Sequence, residues 1–171
     1  GLGLSEPVLR GLSAEETLSR IRQQGALAIA PHPFDLQGVG LREKAALCDA
    51  VETFNALAVD RFSNRRNQIF ASRHRLPRVV GSDAHIPEAL GSAVNHLQAD
   101  SLDSVLREIK AGRVRHTTRY QSRQQLVRWA HLRLSQSRPE VEKYISSTYN
   151  PPKKRLAKKL LQSFTSTPQA S

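Results

Sequence analysis

The sequence has no methionine, a single cysteine and few aromatic residues, which make up 5% of its 171 residues. The scarcity of aromatic side chains predicts a core built from Leu, Val, Ile and Ala, and Cys48 alone cannot form an intrachain disulfide. No apolar run approaches the roughly 20 residues that span a bilayer, and no signal-peptide pattern opens the chain. We therefore expect a cytoplasmic protein. Because the chain starts on Gly1 and not on Met, we also expect its gene to begin upstream.

Acidic residues are scarce in the last third of the chain. Residues 1–112 hold 13 Lys and Arg against 13 Asp and Glu, whereas residues 113–171 hold 13 Lys and Arg against only Glu140 and Glu142. The net charge of +11 therefore belongs to the last third. This composition predicts a neutral domain over 1–112, a basic helical extension over 113–150 and a basic, largely disordered tail over 151–171.

Two stretches of the basic third place apolar residues at helical spacing. The first contains Leu126, Val127, Ala130 and Leu134, and the second contains Leu156, Leu160 and Phe164 with Lys158 and Lys159 opposite. A basic amphipathic helix is typical of segments that bind an anionic membrane or the phosphates of a nucleic acid. A solvated, partly disordered tail has the same composition, so all three interpretations stay open. Residues 163–171 are predicted to be disordered.

Helices and short apolar strands alternate over the first 112 residues. The predicted strands are 26–30, 51–55 and 79–81. The first predicted helix begins at the capping box of Ser13 and Glu16 and ends at Gly25, and the second covers 41–48. The third is capped by Asn64 and runs to about His74, and the fourth is capped by Ser101, runs to Ala111 and stops at Gly112. This alternation predicts a parallel α/β sheet, either open or closed into a barrel.

Polar side chains follow each predicted strand, where ligand sites of parallel sheets lie. His32 and Asp35 follow the first strand, Asn55 ends the second, and Asp83 and His85 follow the third. In an extended segment, residues two apart point the same way, and a carboxylate with an imidazole suits Zn²⁺, Mn²⁺ or Fe²⁺. The residues alone also allow a turn at Asp83 with a solvated His85, and a His32 that is satisfied by a backbone carbonyl.

Glu52 and Asn55 lie in one strand, three residues apart, so a regular strand places them on opposite faces. We therefore expect that they do not act as a pair. Asn55, at the strand end, is the candidate for a hydrogen bond to a substrate oxygen. Glu52 and Asp35 are candidates for supporting the ligands rather than for joining them.

The order of these segments resembles the PHP (polymerase and histidinol phosphatase) family of metal-dependent phosphoesterases. The matching stretches lie within residues 1–112 and are 11–16, 30–35, 51–56 and 81–85, followed by Gly91. The resemblance implies the C-terminal part of a distorted (β/α)7 barrel that holds two or three divalent metal ions, Zn, Mn or Fe. It implies that His32, Asp83 and His85 are metal ligands and that His85 takes part in catalysis.

The chain departs from the family at its start. The family opens with His-x-His on its first strand and continues with further His, Asp and Glu ligands, and nothing in this sequence matches them. The resemblance therefore implies a fragment that lacks the N-terminal ligands. For the intact protein we expect metal-dependent hydrolysis of a phosphate ester, either a small molecule or a nucleic acid, and for this chain alone little or no activity. The alternative is a non-catalytic module that carries the basic tail to a nucleic acid or an anionic membrane.

Overall fold

The computed structural model describes residues 1–36, 40–148 and 151–165. The chain divides into two compact units, 1–121 and 122–171, and each is described by itself. The first unit contains, in chain order, α1 (Ala14–Gln23), β1 (Ile29–Ala30), a 3-10 helix (Arg42–Leu47), β2 (Ala50–Asn55), α2 (Arg61–Arg73), β3 (Arg78–Gly81), a 3-10 turn (Pro87–Ala89), β4 (Ala93–His96), α3 (Leu102–Lys110) and β5 (Arg115–Thr118).

Two helix starts follow directly from the sequence. At α1, the amide of Glu16 donates to Ser13 Oγ at 3.1 Å and the amide of Ser13 donates to Glu16 Oε2 at 2.9 Å, so the predicted capping box is confirmed. The side chains of Leu18 and Ile21 pack into the core. The predicted cap of α3 at Ser101 is also confirmed.

The start of α2 differs from the prediction. Asp60 caps this helix, because its Oδ1 accepts from the amide of Ser63 at 2.7 Å, and the first helical residue is Arg61. Asn64 therefore lies inside the helix and is buried, so its predicted role as the N-cap is wrong. Asp60 supplies the same capping chemistry one turn earlier.

The main sheet has three parallel strands in the order β1-β2-β3. All six residues of β2, the central strand, are buried. The apolar residues on one side of the sheet pack with α1 and α2, and those on the other side pack with α3. The pairing of β2 with β3 shifts its register between Glu52 and Phe54, which marks a bulge in β2.

The predicted (β/α)7 barrel is wrong, because over the described ranges of the chain the sheet stays open. Beyond β3 the chain forms a separate two-stranded antiparallel sheet of β4 and β5. The side chain of Asn95 satisfies the outer edge of β3: Val80 N donates to Asn95 Oδ1 at 3.0 Å, and Asn95 Nδ2 donates to Val80 O at 2.8 Å. A side chain thus occupies the backbone groups that the next barrel strand would need.

The second unit is a pair of helices, α4 (Arg123–Thr148) and α5 (Pro151–Thr165), that pack against each other. In α5 Leu161 is buried, whereas Leu156 and Leu160, which stand at helical spacing in the sequence, are 61% and 51% exposed. Within the described parts of the chain, no helix combines the length and the apolar character needed to cross a membrane.

The predicted domain boundaries at 112 and 150 stay predictions. Residue 150 lies outside the described residues, and β5 continues the first unit beyond residue 112. Of the segment predicted to be disordered, 163–165 lies in α5 and 166–171 lies outside the described residues, as does the side chain of Phe164.

Candidate functional site

The candidate site lies where the three parallel strands end. His32 comes after β1, Asn55 is the last residue of β2, and Asp83 comes after β3. Together with Glu52 in β2 and His85 beyond Asp83, these residues form what we call the carboxyl edge. The predicted arrangement of polar residues behind three neighbouring strands is confirmed by the strand order.

The carboxyl group of Glu52 is at the centre of the carboxyl edge. Its side chain is 8% exposed, and Oε2 accepts a hydrogen bond of 2.7 Å from the amide of His32. Burial raises the pKa of Glu52 above its ordinary value, and the nearby Asp83 carboxylate adds to the rise. The hydrogen bonds from His32 and Asn55 and the charge of His32 act in the opposite direction. A buried carboxyl of raised pKa beside a second acidic group is typical of functional sites.

Asn55 connects Glu52 to Asp83. Its Nδ2 donates to Asp83 Oδ2 at 3.0 Å and lies 3.4 Å from Glu52 Oε2, while its Oδ1 accepts from the amide of Leu57 at 2.9 Å. The residue is 4% exposed and both ends of its amide are engaged within the chain. This geometry makes Asn55 a positioning residue for Asp83, and its predicted contact with substrate stays a prediction.

Glu52 and Asn55 were expected on opposite faces of β2, yet their side chains meet. The reason is the bulge between Glu52 and Phe54, which adds a residue to one strand and changes the alternation of the side chains that follow. The spacing of three therefore brings the two side chains to the same edge. We expected that the two residues do not act as a pair, but the hydrogen bond between their side chains indicates that they do.

The two histidines differ in their surroundings. Nδ1 of His32 is buried and has no hydrogen-bond partner among the described residues; the nearest carboxylate oxygen, Oδ2 of Asp35, is 3.8 Å away. His85 is exposed, and its Nδ1 lies 2.9 Å from the backbone oxygen of Asp83. If Nδ1–H donates to that oxygen, the lone pair of His85 resides on Nε2. Asp35 Oδ1 accepts from the amide of Gly40 at 3.2 Å and so shapes the loop after His32.

Backbone strain marks the same positions. His32 has a φ of 26° and Asp83 a φ of 46°, a region that residues with a Cβ rarely occupy. Holding such conformations costs on the order of 1 kcal/mol each, and the hydrogen bonds to Glu52 and Asn55 offset that cost. Residues held in this way are often functional.

The side chains of the carboxyl edge could supply some of the ligands of a metal ion but not a complete set. In the described ranges, no group of three or more His, Cys, Asp and Glu side chains is placed to hold a metal ion. The unpartnered nitrogen of His32 and the carboxylate of Asp83 are suitable donors, but a zinc or manganese ion needs more ligands than these. The assignments of His32, Asp83 and His85 as ligands and of His85 as catalytic stay predictions.

Three residues that hold the carboxyl edge were not found from the sequence. Asn64 accepts from Asn55 N at 2.9 Å and donates to Asn55 O at 3.0 Å, and it also donates to Tyr120 Oη at 3.2 Å. Gln121 donates from Nε2 to Ser82 O at 2.8 Å, next to Asp83. Tyr120 and Gln121 lie beyond residue 112, in the segment interpreted as a basic extension. Asn64 could have been found from the sequence, because it is a polar residue at a helical position that faces the core.

A cavity of about 490 Å³ lies at the opposite, amino end of the sheet. Its lining includes Ala26 and Leu27 before β1 and Asp49 before β2, as well as Arg107 and Lys110 of α3. Asp49 forms an ion pair of 3.2 Å with Arg22 there. The cavity is therefore separate from the carboxyl edge.

Replacing Glu52 with Gln is expected to stabilise the metal-free chain at neutral and higher pH. Because the folded-state pKa of Glu52 is raised, the native chain keeps a proton that the unfolded chain has lost, so stability falls as pH rises between the two pKa values. Glu52→Gln removes this loss. The melting temperature of the variant, measured in EDTA, should exceed that of the native chain at about pH 8, and the difference should shrink toward about pH 4.

The matched control is Glu108→Gln, since the hydrogen bond from Arg113 lowers the pKa of Glu108. For that variant the sign is reversed: any loss of stability should appear at neutral pH and fade as pH falls. A Glu52→Gln chain that is less stable than the native one at about pH 8 would show that the carboxylate is a net stabilising group.

Comparisons with known proteins match parts of this chain. Residues 61–114 match a family model described as PHP-associated, a segment that runs from the start of α2 past α3 and includes Asp83 and His85. Two uncharacterized proteins of Methanocaldococcus jannaschii are similar: MJ1587, 46% identical over 66 residues, and MJ0417, 33% identical over 102 residues. These segments cover 37% and 54% of this chain.

The chain matches less than half of either relative, 39% of MJ1587 and 43% of MJ0417. No solved structure matches the chain significantly. The resemblance to the C-terminal portion of a PHP protein is thus confirmed by the family match, which covers residues 61–114.

Proposed function

We propose that the carboxyl edge is one side of the active site of a metal-dependent phosphoesterase. The observation that carries this proposal is the hydrogen-bonded series from His32 through Glu52 and Asn55 to Asp83, which spans the ends of three parallel strands. It presents a carboxylate and a buried nitrogen without a partner in the described residues. Most buried polar groups in folded proteins have a hydrogen-bond partner, so the unpartnered nitrogen of His32 favours a ligand at this edge.

The residues of the carboxyl edge have different roles in this proposal. Asp83 is the carboxylate that Asn55 orients, and Glu52 holds the backbone of His32 so that its ring stays at the end of β1. A divalent metal ion, when bound, would neutralise the oxygens of a phosphoryl group and make water a better nucleophile. The other donors of such a site would come from outside the described residues of this chain, since those present form no group of three.

A second candidate function is a binding module without catalysis. It is favoured by α5, where the exposed Leu156 and Leu160 lie among the exposed cations Lys153, Arg155 and Lys159. Exposed leucines between cations suit an anionic membrane surface better than nucleic acid, whose phosphates need only the charges. In this interpretation the PHP-associated segment is a scaffold for the tail.

The test compares hydrolysis of p-nitrophenyl phosphate and of a labelled oligonucleotide, with Mn²⁺, by the complete product of the reading frame that encodes this chain and by the 171-residue chain alone. We expect activity from the complete product and none from the chain. Asp83→Asn in the complete product should lower kcat by at least about 100-fold, because replacing a ligand costs more than the tenfold to 100-fold loss typical of its supporting residues.

Asp103→Asn is the matched control, since Asp103 is an exposed carboxylate on α3. It should leave kcat unchanged. A complete product that hydrolyses neither compound but binds vesicles rich in phosphatidylserine would contradict the phosphoesterase and support the binding module. Full activity in Asp83→Asn would remove Asp83 from the site.

A further inference from the structure

Helix α2 has two faces with different roles. Its inner face buries Ser63, Asn64, Asn67, Phe70 and Ala71. Its outer face begins with a run of exposed side chains, which we call the α2 stripe: Arg61, Phe62, Arg65 and Arg66. The inner face holds Asn55 through Asn64, so the stripe starts at the same edge of the sheet as Asp83.

The aromatic member of the stripe is placed to meet a ligand. Phe62 is 82% exposed, although a phenyl ring gains free energy from burial. On the helix surface its neighbours are Arg65 and Arg66, three and four residues further along, and Arg61 directly precedes it in the sequence. An exposed ring with arginines around it is a surface on which a nucleic-acid base can stack while its phosphates are neutralised.

The arginines of the stripe are held in different ways. The guanidinium of Arg61 lies 5.2 Å from the centre of the Tyr120 ring, and that of Arg66 lies 4.2 Å from the centre of the Phe34 ring. These contacts orient the two side chains, which lowers the conformational entropy that binding would cost. Arg65 has no charged partner among the described residues, and Glu43, 3.8 Å from Arg66, is the one carboxylate recorded within ion-pair distance of the stripe in those residues.

We propose that the α2 stripe binds single-stranded nucleic acid, with a base on Phe62 and phosphates on the arginines. This proposal rests on the proposed function and names its substrate class, because the strand would lead along α2 to the carboxyl edge. A single strand is favoured over a duplex because a duplex keeps its base faces stacked within the helix. It is favoured over a membrane at this position because Phe62 and Ile69 are the two large apolar residues that α2 exposes, and two such side chains beside three arginines offer little apolar area for insertion.

The test is the fluorescence anisotropy of a labelled oligothymidylate and of a labelled duplex of the same length, titrated in EDTA with the full chain and its variants. Phe62→Ala should weaken binding of the single strand about tenfold, within the range of one stacked base, and change binding of the duplex by less than about twofold. Arg65→Glu should weaken both and reduce the dependence of the affinity on salt.

The matched control is Arg73→Glu, the same charge change on the same helix, about 12 Å further along. It should alter both affinities by less than about twofold. Because all variants keep the basic second unit, its contribution is common to every titration. Unchanged single-strand binding in Phe62→Ala would overturn the proposal, as would an equal loss of affinity for the strand and the duplex. A Phe62→Ala chain that loses binding to phosphatidylserine vesicles but keeps its binding to the strand would also overturn it.

Binding in EDTA does not depend on metal or hydrolysis, so the two proposals fail separately. Strand binding that depends on Phe62 in a protein that hydrolyses no phosphate ester would support the stripe and contradict the phosphoesterase. Hydrolysis of p-nitrophenyl phosphate with no contribution of Phe62 to strand binding would do the reverse.

Discussion

Replacing Asn64 with Leu is expected to cost about 3 kcal/mol of stability, although the two side chains have the same branching and the same number of non-hydrogen atoms. Asn64 is 2% exposed and makes two hydrogen bonds to the backbone of Asn55. In the variant the amide and the carbonyl of Asn55 would lose buried partners, each at about 1–3 kcal/mol. Urea denaturation measures the change, and the midpoint should fall without a change in slope.

The chain supplies a matched control one turn further along α2. Asn67 is fully buried, but it makes a single hydrogen bond, in which its Oδ1 accepts from Phe34 N at 3.2 Å, and its Nδ2 has no partner in the described residues. Asn67→Leu loses one bond and also removes an unsatisfied donor, so we expect a loss of only about 1 kcal/mol. An Asn67→Leu chain as unstable as Asn64→Leu would show that general packing, and not the hold on Asn55, sets the cost.

Gly81→Ala is expected to cost about 2–3 kcal/mol, because an added methyl group would overlap Oε1 of Glu52. Glu52 has no room to give way without leaving the amide of His32 and the amide group of Asn55. For a chain of this size the melting temperature should fall by roughly 5–10 °C. The substitution should also displace Asp83, two residues on, and so disturb the carboxyl edge.

A double-mutant cycle with Glu52→Ala identifies the cause of that loss. Once the Glu52 side chain is removed, Gly81→Ala should cost less than about 1 kcal/mol, giving a coupling energy of at least about 1 kcal/mol between the two sites. An equal cost of Gly81→Ala in both backgrounds would mean that the backbone of β3, and not Glu52, resists the methyl group.

Local signals in the sequence predicted local structure well. The capping groups at Ser13 and Ser101 act within one helical turn, so the pattern of residues is sufficient to place the helix starts. The strand ends could be predicted for a similar reason, since a buried parallel strand stops where polar residues begin. The predicted strand ends correctly placed His32, Asn55 and Asp83 at the same edge of the sheet.

Features that depend on contacts between distant residues could not be predicted. The bulge that brings Glu52 and Asn55 to the same edge arises from the pairing of β2 with β3, and no single residue in β2 predicts it. The outer edge of β3 is closed by hydrogen bonds from Asn95, 15 residues from Val80 in the sequence. In α5, the spacing of Leu156 and Leu160 indicated an amphipathic helix, but the burial of Leu161 does not follow from that spacing.

The central claim is that the carboxyl edge supplies part of a metal site that is completed by residues outside those described. Calorimetric titration with Mn²⁺ tests it most directly, on the 171-residue chain and on the complete product of its reading frame. We predict no saturable binding to the chain, binding to the complete product, and at least about a 100-fold loss of that affinity in Asp83→Asn. Tight binding by the chain alone, or undiminished affinity in Asp83→Asn, would contradict the account.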